Sequence, residues 1–149
     1  MNSIWTLSII VFFFACNPKM TANATDTNTM LTVYMTSDYC GGANPSDEIL
    51  DDLKTPRLLK SKSIFIKVGE EKIVEVNTDK NGVAIVDMEA GTYGIFLQGK
   101  HSYKVAANAD EYCKEWKETP NGVLTLSENQ MEAKVTLHNS CNLCLPARY

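Results

Sequence analysis

Turn signals recur about every nine residues in the middle of this chain, and that rhythm limits the fold more than any other feature. Thr78-Asp79-Lys80-Asn81-Gly82 is one turn and Glu89-Ala90-Gly91 the next, with β-branched and aromatic runs on either side. Asn81-Gly82 supplies the positive φ angles that a tight hairpin reversal needs. Strands at this spacing build an antiparallel sandwich or barrel, because parallel neighbours require a longer crossover. The pattern predicts seven strands, over residues 30–36, 63–68, 72–77, 83–87, 92–97, 123–126 and 131–137. In the last of them Met131, Ala133, Val135 and Leu137 alternate onto one face. The expected class is therefore mainly β, an antiparallel sandwich of about seven strands with one or two short helices in insertions.

Two segments break the strand pattern. Ser46 is placed to cap a helix over 47–53, with acidic residues in its first turn. Asn108 is placed to cap a second over 108–117, with Glu111 three residues on as a capping partner. Tyr112 and Trp116 then lie four apart on one face.

The first fifteen residues carry no charged side chain, and 9–14 is an unbroken apolar run followed by Ala15 and Cys16. A membrane span needs about 20 apolar residues. The shorter stretch here has the length of a secretory signal core. Phe13-Phe14-Ala15-Cys16 resembles the lipobox of bacterial lipoproteins, in the relaxed form of Bacteroidota. That resemblance implies cleavage before Cys16 and lipidation of Cys16, with acyl chains that contribute about 0.8 kcal/mol per buried methylene. An ordinary cleaved signal and an uncleaved anchor are the alternatives. The chain then divides into a signal peptide (1–15), a lipidated tether (16–29) and a folded domain (30–149). The partner so implied is a membrane, and the location the cell envelope.

About 120 residues remain after the leader, enough for one core. With 14 basic and 18 acidic side chains the chain is mildly acidic, and no basic patch suits nucleic acid. Cys40, Cys113, Cys141 and Cys144 follow Cys16, and an even count in an exported domain favours two disulfides. Three pairings are possible. The Cys141-x-x-Cys144 spacing also permits a rival, in which the four thiols hold zinc or copper, with His101 or His138. A redox pair at a helix start is disfavoured by Pro146.

No hydrolase, metalloprotease or phosphate-binding motif is present, so the chain reads as non-catalytic and cofactor-free. His101 is expected in a solvated loop and His138 on the surface. Asp47, Glu48, Asp51 and Asp52 lack the turn glycine and spaced glutamate of a calcium loop. Tyr103, Tyr112 and Trp116 are candidate contacts for a sugar or peptide, or else a cover for the open end of the sandwich.

Thr78-Asp79-x-x-Gly82 followed by Gly91-Thr92-Tyr93 resembles the pattern of prealbumin-like β-sandwiches, among them carboxypeptidase regulatory-like and Cna-B-type domains. Tyr39-Cys40-Gly41-Gly42, the segment around Cys113 and the cysteine-rich end are similar to Bacteroidota lipoproteins of this fold. The resemblance implies a fold and a location but no activity. It also implies that the first and last strands lie side by side and parallel. Cys40 and the Cys141/Cys144 pair then leave the sheet at one end, so Cys40 bonds Cys141 or Cys144 and Cys113 takes the other. The expected role is a binding or structural module at the cell envelope, with a protein or glycan partner; the alternative is a metal-handling envelope protein.

Overall fold

The computed structural model describes residues 28–107, 109–141 and 144, with eight strands and three short helices. The strands form two four-stranded sheets in a sandwich-like arrangement. In chain order the elements are β1 (Asn28–Ser37), α1 (Asp47–Lys54), β2 (Arg57–Leu58), β3 (Ser63–Val68), β4 (Lys72–Asn77), β5 (Val83–Asp87), β6 (Gly91–Leu97), α2 (Gln98–Ser102), α3 (Glu111–Glu118), β7 (Gly122–Leu126) and β8 (Glu132–Asn139).

In the first sheet β1 is central. β5 and β2 pair with one edge of it, antiparallel, and β8 pairs with the other edge, parallel, from Met30↔Glu132 to Ser37↔Asn139. The second sheet runs β4-β3-β6-β7, antiparallel throughout. Alternation puts Leu31 and Val33, Ile64 and Ile66, Val86, Ile95, Leu124 and Leu126, and Ala133, Val135 and Leu137 into one core between the sheets. Burying such side chains is the main favourable term, at about 1.5–3 kcal/mol for each large one.

Several expectations need correction. The turn at 78–82 joins β4 of one sheet to β5 of the other, so it is a crossover between sheets and not a hairpin. Only Gly82 takes a positive φ there (73°); Asn81 does not. The Thr78 hydroxyl explains the departure: it donates to the Leu59 carbonyl at 2.6 Å and accepts from the Lys62 N–H at 3.1 Å. That buried anchor turns the chain away from β4. Asp79 completes the turn, its Oδ1 accepting from the N–H groups of Asn81 (2.8 Å) and Val83 (2.9 Å).

β1 begins at Asn28, so the last two residues assigned to the tether belong to the sheet. Thr29 is buried there, and its hydroxyl donates to the Gln130 carbonyl at 2.6 Å. Met131 stands outside β8 with 73% of its surface exposed; its carbonyl accepts from the Met30 N–H, and the buried alternation starts at Ala133. β2 and α2 add to the expected elements: a two-residue strand and a five-residue helix are too short to show a period. The second expected helix starts later. Asp110 caps it by accepting from the Cys113 N–H at 3.1 Å, while Asn108 lies outside the described residues. The leader, Cys16 and all but the end of the tether also lie outside them. Among the described residues no helix is long and apolar enough to cross a membrane.

Candidate functional site

The ends of β1 and β8 define one pole of the molecule, because the two strands run parallel and stop side by side. Both disulfides gather there. Cys40 bonds Cys141 with Cα atoms 5.4 Å apart, and Cys113 bonds Cys144 with Cα atoms 5.6 Å apart. This is one of the two arrangements that parallel first and last strands imply. In this oxidised form each of the four sulfurs is spent on another sulfur, and among the described residues no group of three metal-ligating side chains occurs.

Asn121 ties the pole to both sheets. It is only 7% exposed, and its side chain accepts from the Leu97 N–H at 2.9 Å while donating to the His138 carbonyl at 2.8 Å. An Asn-Gly dipeptide at the mouth of a strand reads as a turn, so nothing local announced this role.

On one side of the pole, α2 and α3 pack together through aromatic rings and two lysines. Tyr103 meets Trp116 edge-on at 5.5 Å, and the Tyr103 hydroxyl donates to the Cys144 carbonyl at 3.1 Å. Trp116 Nε1 donates to Ser140 Oγ at 3.1 Å. Lys100 Nζ sits 4.8 Å from the centre of the Trp116 ring. Its residue is 6% exposed, and burial, then the neighbouring Lys117 charge, holds its amine below the usual lysine range. Lys117, lowered by burial, donates to the carbonyls of Lys100 (2.6 Å) and His101, closing the end of α2. These contacts engage the polar edges of both Tyr103 and Trp116. Tyr112, one turn before Trp116 in α3, is 51% exposed. His101 is not in a solvated loop: it lies in α2, half-buried, with its ring stacked on Phe65 at 4.0 Å.

On the other side a groove of about 270 Å³ opens between the end of β1 and α1. β1 and its exit supply Thr36, Ser37, Asp38 and Tyr39; β8 supplies His138; α1 supplies Leu50, Leu53 and Lys54. α1 forms because Ser46 Oγ accepts from the Ile49 N–H and Thr55 closes the last turn onto Asp51. The amphipathic helix turns Leu50 and Leu53 inward and leaves Ile49 46% exposed.

His138 is the centre of the groove's polar wall. Thr36 Oγ1 lies 3.2 Å from its Nδ1, and Asp38 Oδ1 lies 3.1 Å from its Nε2. Hydroxyl, imidazole and carboxylate in this order are the groups that activate a nucleophile in hydrolases. Here the His138 and Asp38 side chains are 52% and 51% exposed, so water screens the charge separation that such catalysis concentrates in a dry site. The arrangement orients an imidazole for hydrogen bonding. No local signal marks these residues: Thr36, Asp38 and Tyr39 meet His138, 102 positions beyond Thr36, through the parallel β1–β8 pairing, and Lys54 joins them through the packing of α1 against β1. Of the aromatics to which the sequence points, Tyr103 and Trp116 meet edge-on, and Tyr112 is exposed on the same helix as Trp116.

No family model, no curated protein and no solved structure matches this chain.

Proposed function

We propose that this is an exported, lipid-anchored, non-catalytic module of the prealbumin-like sandwich type, acting in binding or structural support at the cell envelope. The observation that carries the reading is the pair of disulfides at one pole, Cys40–Cys141 and Cys113–Cys144. Such bonds persist in oxidising compartments and are rare where glutathione and thioredoxin keep thiols reduced. An export leader over residues 1–15, cleaved before Cys16, accounts for how the chain reaches that environment. The parallel β1–β8 pair and the Thr78–Gly82 crossover support the fold assignment. Two disulfides also leave the metal-handling alternative without its thiolates.

The test is metabolic labelling of the full chain with radioactive palmitate in a bacterial host, followed by membrane fractionation. The wild type should carry label in the membrane fraction, and Cys16→Ala should lose it. A soluble intracellular protein with an intact Met1 and four reduced thiols would overturn the reading.

A further inference from the structure

We propose that the groove between the end of β1 and α1 binds one ring of a neutral carbohydrate. The proposal rests on the reading of this chain as a binding module, though not on its anchoring. Three observations carry it. The groove's walls differ in kind: Asp38, Thr36 and His138 line one side, and Leu50 and Leu53 of α1 line the other. A sugar ring has the matching asymmetry, with hydroxyl groups around its edge and C–H bonds on its faces. The charges also disfavour a ligand of a single sign. Asp38 and Lys54 have opposite sign in the same groove, so an anion meets the carboxylate and a cation meets the ammonium. A hydroxyl donates to the first and accepts from the second without either conflict. Size sets the third limit: sites for drug-sized ligands run about 300–1,000 Å³, and about 270 Å³ takes a small ring and not a long chain.

The polar wall is held in place before any ligand arrives. His138 is fixed from both nitrogens by Thr36 and Asp38. The Tyr39 ring lies over Gly41, where a Cβ would overlap it. Groups held in their binding geometry lose less entropy when a ligand is captured.

Saturation-transfer NMR on the purified full chain, with both disulfides intact, tests this against glucose, N-acetylglucosamine and leucine, each at roughly 10 mM, a range suited to weak ligands. At least one sugar should receive saturation on its ring protons. Asp38→Ala and Leu53→Asp should each weaken that sugar's binding about tenfold, the effect of one lost hydrogen bond or apolar contact. Gly41→Ala should weaken it as well, by displacing Tyr39, and a thermal melt reports whether each variant is folded. Asp38 and Gly41 lie on the surface, so their variants keep the test open if Leu53→Asp unfolds. Transfer to neither sugar, transfer untouched by Asp38→Ala and Gly41→Ala in folded protein, or transfer to leucine alone would overturn the proposal. The last result would leave a binding module with a different ligand, and palmitate labelling of Cys16 stands independently of all three.

Discussion

Asn121 and His138 hold each other through two hydrogen bonds that cross from one sheet to the other. The His138 N–H donates to the Asn121 carbonyl at 2.7 Å, and Asn121 Nδ2 donates to the His138 carbonyl at 2.8 Å. The same side chain accepts from Leu97, so β6, the mouth of β7 and β8 meet at one residue. His138 therefore faces its groove from a backbone fixed to both sheets.

Truncating that side chain should be costly. Asn121→Ala leaves the Leu97 N–H and the His138 carbonyl without their partner, and each unsatisfied buried group costs about 1–3 kcal/mol. A destabilisation of about 2–5 kcal/mol is expected in urea unfolding, with the disulfides intact. A loss below about 0.5 kcal/mol would show that water replaces the amide at no cost.

Gly122 and Gly42 should behave in opposite ways when changed to alanine. A Cβ at Gly122 would stand 2.7 Å from Leu137 Cδ2 and 2.9 Å from the Thr136 carbonyl oxygen, whereas nothing lies within 4 Å of one at Gly42. Overpacking of this kind costs about 1–3 kcal/mol, while an open surface position stays within about 0.5 kcal/mol. Thermal melts of the two variants check the contrast.

The two disulfides should differ in worth. Their sequence separations are 101 and 31 residues. The chain-entropy model assigns about 4.7 kcal/mol to the longer loop and about 3.7 kcal/mol to the shorter. Replacing Cys40 and Cys141 together by serine should lower stability by about 1 kcal/mol more than replacing Cys113 and Cys144. Equal midpoints for the two double variants would contradict this ordering.

Acid should weaken the domain partly through Asp79. The N–H of Val83 chiefly holds its carboxyl below the ordinary value of 3.8; burial opposes this in part, and the N–H and side chain of Asn81 add to the lowering. The folded state thus binds a proton less readily than the unfolded chain. The contribution is present in full above the ordinary carboxylate value and is lost as pH falls through the lowered one. Asp79→Asn keeps an acceptor oxygen but cannot titrate. Its stability should vary less with pH below about 4 than that of the wild type, measured by urea midpoints at a series of acid pH values. Parallel curves would exclude Asp79 as a source of the acid sensitivity.

The strands over 63–68, 72–77 and 83–87 are legible to the residue because β-branched and apolar runs stand between turn signals. The helix at Asp47 was legible for a different reason, its serine cap and acidic first turn. What escaped were features without a local period. The pairing of β2 with Tyr34 and Met35 occupies two residues, and α2 is barely more than one turn. Thr78 read as an ordinary turn residue, although its buried hydroxyl sends the chain from one sheet to the other.

By itself the sequence determined the class of the fold, the number of major strands and the supply of four cysteines behind an export-like leader, because alternation, turn chemistry and composition act over neighbouring residues. Only the tertiary structure decided which strands share a sheet, which cysteines meet, and that Thr36, Asp38 and His138 stand together beside α1. Those relations join positions far apart in the chain, 101 residues for Cys40 and Cys141 and 102 for Thr36 and His138, and these two depend on the register of β1 against β8, which the packing of both strands against one core selects.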